Sequence, residues 1–400
     1  MIRFKYTNRT TRNKRNRQRR KLRPEMLQKR EMMAGDYVDS VVDNTTGEMQ
    51  ITGTDGAESV HVFIDDRGTA DTSDDIVQYR TTYADGTEIT AGQRQYYNDG
   101  SLRVKSLRFE GFGGNDKFFN RTDYDSIAFG GAGDDFLSGS SGVDEFYGEL
   151  GNDRLHGHKG KDVLNGGSGN DFLSGSLGDD ELIGGSGNDW LGGGSGDDYL
   201  RGGSGNDWMY GSFGDDDMYG NSGRDKMYGG FGNDMMLGGS GDDNMNGNQG
   251  NDTLMGQSGK DLMQGNAGDD FMYGGSDNDT MYGNTGNDLM AGGDGRDLVS
   301  GNQDNDRIYG GEMRGLNLNH PGYGNPTLHK KSDAQDWDKD ILAGGEGTDW
   351  FGIANNGIFS DDKVMDHESG EIIRDLDPWG ATAGTGQVFF AGNYGHQKDD

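Results

Sequence analysis

From Asp135 onward an aspartate recurs at every ninth residue, twenty times, without one insertion or deletion. The series is Asp135, Asp144, Asp153, Asp162, Asp171, Asp180, Asp189, Asp198, Asp207, Asp216, Asp225, Asp234, Asp243, Asp252, Asp261, Asp270, Asp279, Asp288, Asp297 and Asp306. Carboxylates repeated at a short fixed interval can serve as hard oxygen ligands for a divalent cation, provided the chain brings them into register. If alternate units stack as neighbouring strands, Asp189 lies between Asp171 and Asp207 at the strand separation of ~4.8 Å. Two bare carboxylates at that distance repel by roughly 3.5 kcal/mol at an effective dielectric of about 20. A cation that takes six to eight oxygens turns each repulsion into a bridge. Turn formation alone would accept Asn or Ser at this position, and neither occurs there in the twenty units.

The elements that must hold these carboxylates follow from the rest of the unit, numbered 1 to 9 from Gly131, which puts the aspartates at position 5. Position 9 is Gly in all twenty copies and position 3 is Gly in all but two, where Asp277 and Asp304 stand instead. Asp tolerates a left-handed backbone, so the exceptions predict a positive φ at position 3. Position 7 is always apolar, Leu137, Phe146 and Leu155 early and mostly methionine between Met209 and Met290. One buried residue between two outward ones predicts a three-residue strand, and the remaining six residues a Gly-rich turn. A fixed short period of this kind predicts a solenoid, in which each unit buries its apolar residue only against its neighbours.

The unit resembles the repeats-in-toxin, or haemolysin-type, calcium-binding nonapeptide G-G-x-G-x-D-x-U-x, with U a large apolar residue; residues 184–192 read GGSGNDWLG. The resemblance implies an all-β protein, a right-handed parallel β-roll (β-solenoid) of about 20 nonapeptides with an irregular β-rich N-terminal cap. Two units make one coil, the strands form two sheets, and Ca²⁺ sits between successive turns along each edge. The implied ligands are the position 5 carboxylates with backbone carbonyls of positions 9, 2 and 4. Ten units on each edge leave nine gaps, so roughly 18 ions are expected if every gap is one site.

Composition fits that architecture. The 400 residues include 75 Gly, 30% hydrophobic residues and a net charge of −32, a thin supply for an ordinary core and, without the repeat, a composition that points to disorder. The chain has no Cys, which excludes disulfides, thiol nucleophiles and Cys-based zinc sites and suits an extracellular protein stiffened by metal. No run of about 18 apolar residues is present, so no membrane span is expected. The four prolines, Pro24, Pro321, Pro326 and Pro378, all fall outside the twenty units, as expected of strands hydrogen-bonded on both sides.

In chain order, residues 1–35 form a basic leader expected to be disordered; residues 1–30 carry thirteen Lys or Arg against Glu25. It resembles a short leader found on some large bacterial secreted proteins, and no nucleic-acid-binding fold follows it. Residues 36–120 read as a β-rich cap ending in a degenerate repeat, FGGNDKFFN, in which Asp116 is a possible ligand. A register break at 121–130 precedes the β-roll at 131–310. A loop at 311–335 is followed by final repeats at 336–352, which restore Asp340 and Asp349 at position 5. Residues 353–400 are a C-terminal cap and secretion segment; DDKVMDHESGEIIRDL is similar to the acidic segment that closes the β-roll in serralysin-type proteases, with His367 where that pattern has Phe.

No H-E-x-x-H, G-x-S-x-G or G-x-x-x-x-G-K-[ST] motif is present, so the chain is expected not to be an enzyme. His156 and His158 form an H-x-H read as two solvated residues rather than a metal site. The sequence therefore points to a secreted calcium-binding β-roll with a structural or adhesive role at the bacterial exterior, folding as it binds Ca²⁺ and possessing no membrane span. Cell-surface glycan or matrix is the expected partner class. The alternative is a secreted carbohydrate-binding or carbohydrate-active accessory module, because outward aromatics such as Phe136, Phe172, Trp190 and Trp208 recur on one predicted sheet.

Overall fold

The computed structural model describes residues 39–42, 48–65, 76–83, 88–94, 104–311, 341–346, 350–352, 363–365 and 372–373, all within a unit that spans Val38–Asp400. Every regular element among them is a β-strand. The period of nine dictates the architecture: successive units alternate between two sheets, and each strand pairs in parallel with the strand 18 residues away. Trp190↔Trp208 and Leu191↔Met209 are partners in one sheet, Leu182↔Leu200 in the other. The chain is a parallel β-solenoid.

The stack is longer than the twenty perfect units. Ser106–Glu110 and Asp125–Ala132 continue one sheet in parallel register, and Lys117–Asn120 continues the other. Farther out, Glu48–Thr52 pairs in parallel with Ser106–Glu110, and Glu58–Asp65 with Lys117–Asn120. Here the pattern ends in antiparallel strands. Glu58–Asp65 pairs with Ile76–Tyr83, and that strand with Glu88–Arg94. These strands cover an edge that would otherwise present unpaired backbone groups. At the far end Ile341–Glu346 and Trp350–Gly352 extend the two sheets.

Position 7 forms the core. Leu137, Phe146, Leu155 and their counterparts through Met290, Val299 and Ile308 are fully buried between the sheets. Complete burial of one large side chain per nonapeptide contributes ~1.5–3 kcal/mol each, so no single unit has a core of its own.

Strands within the stack are mostly six residues long, as in Trp190–Ser195, rather than the three expected. The ladder pairs positions 6, 7 and 8, passes over Gly193 at position 9, and resumes at Gly194↔Ser212 and Ser195↔Phe213. The turn backbone allows this resumption: position 1 adopts positive φ in every unit but that of Ser140, and Asn221, Asn248, Asn266, Asn284 and Asn302 all have φ between 74° and 82° there.

Position 3 also has positive φ in every unit but that of Gly142, including both exceptions to glycine, Asp277 at 79° and Asp304 at 74°. Asp277→Gly should be neutral or mildly stabilising, whereas Asp277→Val should cost about 1–2 kcal/mol. Denaturant unfolding of the calcium-loaded variants measures this, and equal tolerance of Val would show that the turn imposes no backbone requirement.

Candidate metal centre

The twenty aspartates of the series are gathered into two columns, one on each edge of the solenoid. Asp135, Asp153, Asp171 and the alternate members to Asp297 form one, and Asp144, Asp162, Asp180 and the alternate members to Asp306 the other. All are buried, none more than 3% exposed. Asp340 and Asp349 lie outside the described residues.

Each column is held by its own backbone. The N–H of Asp171 donates to Asp189 Oδ1 at 2.8 Å, and the N–H of Asp189 to Asp207 Oδ1 at 2.8 Å. The same bond recurs from Asp135 to Asp288. It explains why the residue is Asp: the carboxylate must reach the preceding coil's amide with one oxygen while offering a second. Asn could make that bond but would present an amide nitrogen where the second oxygen stands.

That second oxygen is the decisive feature. In Asp135, Asp153 and each member from Asp162 to Asp288, Oδ2 is buried and has no hydrogen-bond partner. A carboxylate oxygen sealed from water without a partner costs several kcal/mol in its charged form. Burial accordingly pushes these carboxyls up from 3.8, to about 6 in Asp171, about 7 in Asp189 and about 8 in Asp216. Desolvation is the largest cause in each; the donated N–H pulls the other way, and stacked carboxylates raise Asp189 and Asp216 further.

Position 9 is glycine because of this oxygen. A Cβ on Gly184 would stand 2.4 Å from Asp189 Oδ2 and 2.7 Å from the carbonyl oxygen of Gly202 in the next coil. A carboxylate oxygen and a backbone carbonyl thus converge where a side chain would sit. Position 2 carbonyls accept one backbone bond, as Ser204 O does from Gly187 N–H at 2.8 Å, which leaves a lone pair on each. Among the described residues no three His, Asp or Glu side chains converge, so an ion between two turns would need backbone carbonyls to complete its shell. An orphaned anionic oxygen beside carbonyls, all hard donors, fits Ca²⁺.

The RTX calcium-binding nonapeptide repeat family, whose pattern comprises four copies of the unit, matches this chain nine times in overlapping segments that together span residues 121–312. Residues 121–312 are RTX repeats. No curated protein matches the chain. The RTX segments cover both aspartate columns, so the orphaned oxygens belong to calcium-binding repeats.

Other sequence candidates lie elsewhere. His156 and His158 have ring centroids 6.1 Å apart, yet His156 is packed between Phe136 and Phe172, at 5.4 Å from each. Burial, then His158 and Arg154, lowers its pKa. It belongs to a row of rings on the outer face. Asp116 is buried, its N–H donating to Asp135 Oδ1 at 2.7 Å, so it heads the first column. Two participants escaped sequence reasoning. Glu58 donates its N–H to Asp116 Oδ1 at 2.8 Å, and Ser126 stands opposite Asp144 in the ladder. The spacing from Gly53 to Glu58, equal to that from Gly184 to Asp189, was the available signal for the former.

Proposed function

We propose that this protein is a secreted, non-catalytic β-roll that Ca²⁺ makes rigid outside the cell, serving a structural or adhesive purpose there. One observation carries the reading: two columns of buried carboxylates in which Asp135, Asp153 and each member from Asp162 to Asp288 present an oxygen that the protein leaves without a partner. Calcium, when bound, supplies the positive charge those oxygens lack. The chain's part is to fix the carboxylates with backbone N–H groups, clear the space with position 9 glycine and exclude water by stacking.

The outer face supports a structural role over a sugar platform. Phe172 and Trp190 stack at 4.3 Å with an interplanar angle of 1°, and Tyr210 and Tyr228 at 5.0 Å and 7°. The rings cover one another's faces, so their stacking stabilises adjacent strands by ~0.2–1 kcal/mol per pair. The alternative carbohydrate-binding role would draw on Trp208, which is 43% exposed.

Calorimetric titration tests the proposal. Roughly 18 Ca²⁺ should bind if each gap within residues 131–310 is one site. Fewer than about six ions would be inconsistent with stacked turns as the binding unit.

A further inference from the structure

We propose that the cation ladder of one edge runs past the recognised repeats and ends in a divalent-cation site built on Glu58 and Asp116, whereas the opposite edge is sealed at Asp144 by Ser126. The inference rests on the calcium reading of the repeats and gives the two edges of the solenoid different lengths.

Residues 53–58, GTDGAE, place an acid five positions after a glycine, as residues 184–189, GGSGND, do. The structure makes them a hidden turn of the same kind. Glu58 N–H donates to Asp116 Oδ1 at 2.8 Å, the bond that links Asp171 to Asp189. The strands that follow pair in parallel, Ser59↔Lys117. A Cβ on Gly53 would meet the Gly111 carbonyl oxygen at 2.8 Å and Glu58 Oε2 at 3.2 Å. Those are the same two kinds of atom that a Cβ on Gly184 would meet, the turn's own carboxylate and the next turn's position 9 carbonyl.

The requirement for a cation is equally present. Asp116 is 0% exposed and its Oδ2 is buried with no hydrogen-bond partner. Glu58 is 3% exposed, so two carboxylates share a space shut off from water. Glutamate replaces aspartate at the cost of a freer side chain, and Thr54 restrains it: the N–H of Thr54 donates to Oε2 at 3.3 Å and its hydroxyl to Oε1.

The other edge has the opposite chemistry. Ser126 occupies the place an aspartate would take above Asp144 and donates its hydroxyl to Asp144 Oδ1. Ser140 N–H donates to Asp144 Oδ2 at 2.9 Å. Both oxygens of Asp144 are satisfied by the protein and the facing group is neutral, so this gap offers nothing that a cation would improve.

Glu58 and Asp116 are 58 residues apart, with the antiparallel strands Ile76–Tyr83 and Glu88–Arg94 between them. An ion between them ties the N-terminal coil to the stack across that insertion. Native mass spectrometry of the full chain in calcium, read with amide exchange over residues 48–65, tests this. Glu58→Gln should bind one ion fewer than the wild type and lose protection over 48–65, with the repeats unchanged. An equal ion count in E58Q and wild type overturns the inference and leaves the calcium reading intact; a wild type that binds no calcium overturns both. Should E58Q fail to fold, Ser126→Asp serves instead. It places a carboxylate opposite Asp144 and should add one ion, and an unchanged count would show that the missing acid does not set the length of that edge.

Discussion

In calcium-free buffer at neutral pH and low ionic strength, the far-UV circular dichroism of this chain should lack a β-sheet signal, and added Ca²⁺ should restore it in a steep transition. The expectation follows from what each coil contains. One large side chain is buried per nonapeptide, while nine residues must be ordered at ~1–2 kcal/mol each for the backbone alone. Each coil also stacks two further carboxylates on its columns. A site whose free ion stands tenfold above its Kd adds about 1.4 kcal/mol to folding, and roughly 18 such sites would add on the order of 25 kcal/mol. The carboxylates that would hold an ion stand on adjacent coils, Asp189 between Asp171 and Asp207, so binding and stacking should proceed together. Extracellular modules bind with Kd around 10⁻⁴ to 10⁻³ M, which would leave the chain unfolded wherever calcium is scarce. A full β signal in the absence of calcium would sink the idea.

The fold was legible because its geometry constrains individual positions rather than average composition. Leu137 and Met209 read as core since nothing else in the unit could be. Asp277 and Asp304 disclosed the left-handed turn at position 3 by replacing glycine with the residue that best tolerates it. The same conformation at position 1 was missed, although Asn recurs there, because Glu149, His158, Ser176 and Gln257 share that φ and obscure the pattern. The aspartate columns were legible for the same reason as the core, but their ends were not. Glu58 carries the longer acid and is separated from Asp116 by the two added antiparallel strands Ile76–Tyr83 and Glu88–Arg94 as well as Ser106–Glu110, so no fixed period connects them. Ser126 gives no hint of its place until Asp144↔Ser126 pairing is seen.

Acid should fold the calcium-free chain rather than unfold it. The position 5 carboxyls are raised from 3.8 to about 6 in Asp135, Asp180 and Asp225, to about 7 in Asp153, Asp207 and Asp234, and to about 8 in Asp243 and Asp279. Burial is the largest cause in every one. A carboxyl whose pKa is higher folded than unfolded binds more protons in the folded state, so its contribution to stability is fully present below the unfolded pKa and is lost as pH rises through the folded one. The window therefore runs from about 4 to about 8, and across it the metal-free solenoid should gain β signal as pH falls. Calcium reverses the slope. Proton and cation compete for the same oxygens, so the calcium-loaded fold should weaken on acidification through that range. Circular dichroism from pH 8 down to 5 in metal-depleted buffer and in calcium, with light scattering to detect association near the pI of 4.4, measures both slopes. If the two run in the same direction, the buried carboxylates do not govern folding.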